Sequence, residues 1–315
     1  MYYRENTTDM DRRDFLRTLG VAAAVAGTGL GGTPLPGRTK AKDPDPDPGL
    51  HLRFLGTGAA DWHGPDARGE HRRFSSVLLD GRILIDYTPS NADMLPDGCK
   101  PECIFYTHSH GDHYNPKALV ELGVPVAYLN WSWFDRARGN FADAAAQTGL
   151  PAPVLFPLQI ADKTVLGDIT ITALPANHAV NLTEQTMIYL IEKGPVRLLY
   201  ATDTGGIPAL AARLVGIDSH DREARPITGL IMEATMGMGD EGDEDFRLFT
   251  HSSVNTVRHT VNMLLKHKRY RPQEGQPVYV THFARTLQPT QAVLDATLPA
   301  PLKAAYDGLE VVFHA

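Results

Sequence analysis

Four candidate metal ligands fall within one short stretch, Thr107-His108-Ser109-His110-Gly111-Asp112-His113. The run that leads into it, Cys103-Ile104-Phe105-Tyr106-Thr107, is short, apolar and β-prone, which predicts a buried strand ending where the ligands begin. Imidazole nitrogens suit zinc and iron, and a carboxylate adds negative charge that holds a divalent ion. Four ligands in one turn exceed what a mononuclear site usually takes from a single loop, so the stretch predicts two adjacent metal ions.

Three further predicted strands also end on side chains that can bind a metal. A lone His or Asp after a strand is usually structural, but these three together with the first stretch complete a ligand set. The strands are Ile169–Leu174 before His178, Val196–Thr202 before Asp203, and Val278–Thr281 before His282.

The order of these ligands resembles that of the metallo-β-lactamase-fold hydrolase superfamily, over roughly Leu50 to the C-terminus. The resemblance implies an α/β fold, namely an αββα four-layer sandwich of two mixed β-sheets with helices on the outer faces. It also implies two divalent metal ions, with zinc as the first expectation and manganese or iron accepted by the same ligands. The implied ligands are His108, His110 and His178 for one ion, Asp112, His113 and His282 for the second, and Asp203 as the bridge between them.

The N-terminal part of the chain differs in composition from the rest. Arg12-Arg13 followed by Phe15-Leu16 and an Ala/Gly-rich apolar stretch resembles a twin-arginine export signal. The apolar stretch is too short to span a bilayer, so we expect no stable membrane span. We therefore predict an export signal over residues 1–34, a Pro/Asp-rich linker over 35–49 and a hydrolase domain over 50–315, in a periplasmic or other extracytoplasmic location.

The charge balance limits the class of substrate. The chain carries a net charge of −7, and the excess of basic residues before position 43 is offset by Asp43, Asp45 and Asp47, so the domain from Leu50 is also acidic. Long nucleic acids bind through a basic tract, and none is visible. The acidic segment 240–245 is either a solvated loop or a segment near the active site that repels a polyanion. In both cases a small substrate fits better than RNA. We expect a small-molecule phosphodiester as partner and no long nucleic acid; the oligomeric state is left open.

The only two cysteines are Cys99 and Cys103. Export would permit a disulfide between them. Cys103 begins the predicted buried strand, however, and free buried cysteines are common, so we expect a structural role for both. They are poor zinc ligands, because no further cysteine is available to close a tetrahedral site.

Two signals point to a branch of the superfamily that cleaves phosphodiesters. Met232-Glu233-Ala234-Thr235, with His251-Ser252-Ser253 about eighteen residues later, resembles the acid pair of the transfer-RNA 3′-processing ribonuclease Z-like enzymes, and Thr281-His282-Phe283 matches their last-ligand motif. The stretches 202–208 and 305–310 instead resemble phosphoribosyl cyclic phosphodiesterases. The shared chemistry predicts a dinuclear-metal phosphodiesterase for a small cyclic or nucleotide-like diester.

The candidate catalytic residues are Asp112, Glu233 and His251. A leaving alkoxide needs a proton, which a histidine can supply, and Glu233 would orient His251 and stabilise its charged form. Arg72 and Arg73 precede a predicted strand and are candidates to hold the substrate phosphate. Asp61-Trp62-His63 and Trp131-Ser132-Trp133-Phe134 either shape the pocket or belong to the core.

The resemblance has departures, and they leave alternatives open. The loop 59–65 has no cysteine, whereas the phosphoribosyl cyclic phosphodiesterases carry a Cys-rich zinc knot there, and no basic arm for transfer RNA is visible. A lactone or thioester hydrolase with the same ligand set is the main alternative, although it depends less on a separate acid. A non-catalytic metal-binding protein is a third interpretation, which the complete set of seven ligands disfavours.

Overall fold

The computed structural model of the protein describes residues 49–218, 225–239 and 246–315. The predicted export signal, all but the last residue of the predicted linker, and the acidic segment 240–245 lie outside the described residues. The boundaries given above for these segments therefore stay predictions.

Within the described residues, fourteen strands form two seven-stranded sheets. The first sheet has the order β14-β1-β2-β3-β4-β5-β6, and the second has the order β13-β12-β11-β10-β9-β8-β7. The strands are β1 (Leu50–Gly56), β2 (Ser76–Leu79), β3 (Ile83–Ile85), β4 (Cys103–Phe105), β5 (Val126–Asn130), β6 (Val154–Leu158), β7 (Lys163–Leu166), β8 (Ile169–Pro175), β9 (Met187–Lys193), β10 (Val196–Ala201), β11 (Gly229–Glu233), β12 (Val278–Thr281), β13 (Leu302–Ala304) and β14 (Glu310–Phe313).

Both sheets are mixed. In the first, β3, β4, β5 and β6 run parallel, while β14, β1, β2 and β3 pair antiparallel. In the second, β10, β11, β12 and β13 run parallel, and β7, β8, β9 and β10 pair antiparallel. Short strands made of continuous buried residues, such as β3, β4 and β11, fit parallel sheets that are covered on both faces.

Helices cover the outer face of each sheet. They are α1 (Pro116–Leu122), α2 (Phe134–Thr148), α3 (Ala209–Val215), α4 (Val254–Lys266) and α5 (Gln291–Thr297). One apolar cluster joins the inner faces of the two sheets and includes Phe54 and Phe105 from the first and Tyr189 and Leu198 from the second. Two other clusters pack α1 and α2 on the first sheet, and α3, α4 and α5 on the second. The architecture is the expected αββα sandwich.

The parallel strands bring the predicted site residues to one edge of the sandwich. Strands β10, β11 and β12 are parallel neighbours, so the residues at their C-terminal ends, Asp203, Glu233 and His282, meet at the same edge of the second sheet. In the first sheet, the C-terminal ends of β3 and β4 lie side by side in the same way. Backbone hydrogen bonds tie the two edges together: the Met187 amide donates to the Thr107 carbonyl at 2.9 Å, and the Ala59 amide donates to the Phe283 carbonyl at 3.0 Å.

Both cysteines are free thiols. Cys103 is buried at the start of β4, where burial raises the pKa of its thiol to about 12, and Cys99 is half-buried. The expectation of structural roles therefore agrees with their places in the fold. Over the described ranges, no helix combines the length and the apolar character that crossing a membrane requires.

Candidate metal centre

The first predicted ligand group is assembled from the turn after β4 and the loop after β8. His108 Nε2 lies 2.9 Å from His110 Nδ1, and His178 Nε2 lies 3.1 Å from the same His110 nitrogen. His108 is completely buried, and His110 and His178 are half-buried at the edge of a cleft. Three imidazole nitrogens thus converge on one point.

The second predicted group is equally compact. His113 Nε2 lies 3.2 Å from His282 Nε2 and 3.2 Å from Asp112 Oδ2. His282 Nε2 lies 3.6 Å from the same Asp112 oxygen. All three residues are buried.

Asp203 lies between the two groups. Its Oδ2 is 3.1 Å from His113 Nε2 and 3.2 Å from His282 Nε2, both in the second group. Its Oδ1 faces the first group, 3.9 Å from His178 Nε2. One carboxylate oxygen directed at each group is the arrangement that the predicted bridging role requires.

The donor atoms fit divalent metal ions. Two nitrogens bound to one zinc ion at about 2.1 Å with tetrahedral angles lie roughly 3.4 Å apart, close to the spacings in both groups. Asp203 Oδ2 is buried and accepts no hydrogen bond from any side chain that the structure describes, although two imidazole nitrogens surround it. A buried carboxylate oxygen surrounded by imidazole nitrogens is what a cation-binding site provides. The seven residues would hold two ions, as their order in the sequence implied.

The protonation states favour ligation in the first group and at the bridge. Burial lowers the pKa of His108 well below its usual value and also lowers the pKa of His110 and His178, which keeps ring nitrogens available as ligands. Burial opposes ionisation of Asp203, but the surrounding imidazoles, His282 first, outweigh it and hold its pKa well below the usual range. Around His113, burial is outweighed by the carboxylates of Asp203, Asp112 and Asp86, which raise its pKa well above the usual value. The same negative charge would favour a divalent cation.

Asp86 belongs to the candidate site but was not singled out from the sequence. It is fully buried at the end of β3 and accepts hydrogen bonds from the Thr107 amide at 2.8 Å and the Thr107 hydroxyl at 2.6 Å. His113 Nδ1 lies 2.8 Å from Asp86 Oδ2, so this carboxylate fixes the ring with Nε2 directed at the metal centre. The signal was present, because an apolar strand ending on a polar side chain also identified the other ligands.

Glu184 is a second residue that was missed. Its buried carboxylate accepts hydrogen bonds from the amide and the hydroxyl of Ser109, both at 2.8 Å, and it forms an ion pair with Arg136. It thereby joins the loop after β8, which carries His178, to the turn that carries His108 and His110. Because Glu184 and Ser109 are 75 residues apart, no local sequence pattern connects them.

The predicted pair of Glu233 and His251 forms beside the two metal groups. His251 Nδ1 lies 2.9 Å from Glu233 Oε2 and 3.1 Å from Oε1. Glu233 is fully buried and is fixed by the Thr204 amide, through a short hydrogen bond, and by the Thr235 hydroxyl at 2.5 Å. The Thr235 hydroxyl also lies 2.8 Å from His282 Nδ1, so one small network positions the pair and a metal ligand together.

The segment that carries His251 is held by the two serines that follow it. Ser253 caps α4 by accepting a hydrogen bond from the Thr256 amide at 3.2 Å, as expected for one of the two serines. The Ser252 hydroxyl donates to the Thr204 carbonyl at 2.9 Å and accepts from the Gly206 amide at 3.0 Å. The same segment also passes close to Gly205. A side chain at position 205 would not fit, because its Cβ would lie 2.8 Å from the Phe249 carbonyl oxygen.

The expectation that Arg72 and Arg73 hold substrate is not supported by their positions. The Arg72 guanidinium is buried, hydrogen-bonded to Thr57, Ala305 and Gln291, and stacked 4.6 Å from the Phe283 ring centre. The Arg73 guanidinium pairs with Asp93 and Asp307. Neither residue lines the cleft, because each is used to join chain segments to one another.

The cleft over the metal centre has a volume of about 590 Å³. His110, Asp112, His178, Asp203, His251 and His282 form its floor, and Asp61, His63 and Phe74 contribute to its wall. Asp61-Trp62-His63 therefore does shape the pocket, although Trp62 itself is buried. Arg247 lines the cleft as well; it precedes His251 by one helical turn and was not singled out from the sequence.

The comparisons with known families match two parts of the chain. Residues 81–220 match the family described as a beta-lactamase superfamily domain. Residues 9–29 match a twin-arginine translocation pathway signal sequence, which confirms the predicted export signal and is consistent with a periplasmic or other extracytoplasmic location. No curated protein sequence matches the chain.

Similar solved structures agree over most of the chain. A diphosphatase from the PhnP family is 21% identical with a TM-score of 0.57, covering 84% of this chain and 98% of its own. Zinc-bound PqqB from Methylobacterium extorquens is 16% identical with a TM-score of 0.60, covering 83% and 99%. A long form RNase Z from yeast is 14% identical with a TM-score of 0.54, covering 84% of this chain and 42% of that one. The chain therefore has the metallo-β-lactamase fold, and its residues 81–220 match the beta-lactamase superfamily domain.

Proposed function

We propose that the protein is an exported, dinuclear-metal phosphodiesterase that hydrolyses a small cyclic or nucleotide-like diester. The observation that carries the proposal is the hydrogen-bonded pair of Glu233 and His251 directly beside the two ligand groups. The fold alone does not select this reaction, since the solved structures that share it include a diphosphatase and also the β-hydroxylase CmlA. The choice therefore rests on the side chains of the site.

His251 is placed to act as a general acid. Its Nδ1 faces the Glu233 carboxylate, so the opposite ring nitrogen, Nε2, is the one available to a substrate in the cleft that His251 lines. Burial lowers the pKa of His251, but the carboxylate of Glu233 outweighs it and raises the pKa to about 9. A protonated imidazole in the cleft can donate to the oxygen that leaves phosphorus. Carbonyl hydrolysis depends less on such an acid, so the pair favours phosphodiester cleavage.

The cleft suits a small anionic substrate. Its volume of about 590 Å³ lies within the range of small-ligand pockets. Arg247 on its lining adds a positive charge that favours an anion. The acidic chain as a whole offers no basic tract for a long nucleic acid.

The seven ligands would supply the metal-dependent part of the reaction. When bound there, divalent metal ions provide a hydroxide nucleophile near neutral pH and offset charge on the phosphoryl oxygens. Zinc is our first choice for the metal, although the same His and Asp ligands also accept manganese and iron. Asp112, proposed above as catalytic, lines the cleft next to His113 and His282, and would act there as a ligand.

A comparison of leaving groups tests the role of His251. Methyl p-nitrophenyl phosphate has a good leaving group that needs little proton donation, whereas methyl phenyl phosphate has a poor one. We expect His251→Ala to slow the phenyl ester by about 10²–10⁴-fold, the usual range for a general acid, and the p-nitrophenyl ester much less. Equal losses on both esters would remove the acid role. Hydrolysis of lactones or thioesters without any diester turnover would favour the carbonyl hydrolase instead.

A further inference from the structure

A second cleft adjoins the metal centre on the other side of His178. Its volume is about 540 Å³. The apolar part of its lining comes from Trp131, Ile160, Pro175, Ala176 and Leu210. His178 lines both this cleft and the one over the candidate metal centre, so the two spaces adjoin at this imidazole.

Two large apolar side chains of this second cleft are exposed. Trp131 is 55% exposed and Leu210 is 53% exposed. Single exposed apolar residues are ordinary on protein surfaces, but a group converging on one cleft indicates a binding surface.

The charged group in the second cleft is already used within the protein. Glu184 is held by Ser109 and Arg136, with its side chain 1% exposed. Among the described residues that line this cleft, none is a lysine or an arginine. The cleft therefore offers apolar contact and amide groups, and it does not suit an anionic substituent.

We propose that this cleft binds a hydrocarbon substituent of the substrate while the phosphate lies over the metal centre. This inference rests on the proposed function, and it adds that the diester carries an alkyl or aryl group on one ester oxygen. In the reaction water adds to phosphorus, the bond from phosphorus to the leaving oxygen breaks, and that oxygen receives a proton. The hydrocarbon group stays on the monoester product.

The test is a series of alkyl p-nitrophenyl phosphates with methyl, propyl and pentyl groups, hydrolysed by the zinc-loaded protein. Full burial of a methylene is equivalent to about a fourfold gain, so we expect kcat/KM to rise roughly two- to fourfold with each added methylene. Trp131→Ala and Leu210→Asn should flatten this dependence and leave the methyl ester nearly unchanged. Leu150→Asn is the matched control, because Leu150 is 44% exposed at the end of α2 and lines neither cleft.

Calorimetric binding of methyl, propyl and pentyl phosphate separates this inference from the proposed function. If no diester is hydrolysed but affinity still rises with chain length and the rise is lost in Leu210→Asn, the proposed function fails and the cleft is supported. The inference is overturned if kcat/KM of the wild-type protein does not change with chain length. It is also overturned if both variants keep the same rise in kcat/KM as the wild-type protein. The inference is also overturned if Leu210→Asn changes the oligomeric state and leaves the dependence of kcat/KM on chain length unchanged. The surface around Leu210 would then bind a second copy of the chain.

Discussion

Three residues of the candidate metal centre adopt the left-handed backbone conformation. Asp86, Asp203 and His282 have φ angles of 56°, 48° and 56°, each at or just after the end of a strand. Non-glycine residues seldom occupy this region, although Asp and His tolerate it better than most. Such conformations turn the chain sharply at a strand end and direct the side chain into the site, and strained residues of this kind cluster at functional sites.

Replacing Asp86 with asparagine should weaken metal binding. Asparagine tolerates the same backbone conformation and keeps the size of the side chain, but it removes the charge that orients His113. We expect metal affinity to fall about 10–100-fold, the usual effect of losing a partner of a ligating histidine. Chelator competition measures it. Asp80→Asn is the matched control, because Asp80 also has a positive φ but pairs with Lys193, away from the site; equal losses in both variants would contradict the role of Asp86.

Replacing Glu233 with glutamine should move the alkaline limb of the pH–rate profile to lower pH. The raised pKa of His251, about 9, means that its acid form is present below that pH and is lost as pH rises through it. Without the Glu233 carboxylate, burial lowers the pKa of His251, so the imidazole loses its proton at a lower pH. Hydrogen bonds to charged groups contribute about 1.5–3 kcal/mol, so we expect a shift of roughly one to two pH units. The wild-type protein and Glu233→Gln are compared with the same bound metal. If the alkaline limbs of their pH–rate profiles coincide, Glu233 does not set the pKa of His251.

Whether a residue could be predicted from the sequence depended on how local its signal is. The seven predicted ligands and Glu233 follow or end strands, and His251 precedes a helix whose serine cap is visible in the sequence, so local patterns were enough to predict all of them. Asp86 carries the same signal but was missed because one carboxylate after a strand is common. Arg72 and Arg73 were assigned to substrate because their charge is visible in the sequence, whereas their burial against Phe283 and Asp307 depends on residues more than 200 positions away.

At the level of elements, the site depends on loops that different strands hold in register. The turn after β4 carries four predicted ligands, and the loop between β8 and β9 carries the fifth. Glu184 joins them, together with the hydrogen bond from the Met187 amide to the Thr107 carbonyl. The strands themselves could be predicted from short apolar runs. The contacts between loops could not, because they join residues of different sheets that are far apart in the sequence.

Removing the Glu184 carboxylate should loosen both loops. Glu184→Ala leaves the Ser109 amide and the Arg136 guanidinium without their buried acceptor, and an unsatisfied buried polar group costs about 1–3 kcal/mol. We expect that loss in the free energy of unfolding, measured by denaturant titration, and faster release of metal to a chelator. Glu102→Ala is the control, because its ion pair with Arg82 is exposed and should change stability by less than about 0.5 kcal/mol. Similar effects in the two variants would contradict the proposed coupling.

For the molecule as a whole, metal binding and stability should be linked. The ligands come from both sheets, so an ion that binds them joins the two halves of the sandwich and favours the folded state. At a zinc concentration of about 100 Kd the gain is about 2.7 kcal/mol, which corresponds to a rise in Tm of roughly 5–10 °C for a domain of this size. Thermal unfolding at several zinc concentrations measures it. A Tm that is independent of zinc would contradict a metal centre shared by both sheets.

The most direct test of the central claim is hydrolysis of bis(p-nitrophenyl) phosphate by the zinc-loaded protein, with Asp203→Asn as the control. The asparagine tolerates the positive φ of this position and removes the charge that faces both ligand groups. We predict clear turnover by the wild-type protein and its loss in the variant. No turnover from a protein shown to contain two zinc ions, or equal turnover by the variant, would contradict the assignment as a dinuclear-metal phosphodiesterase.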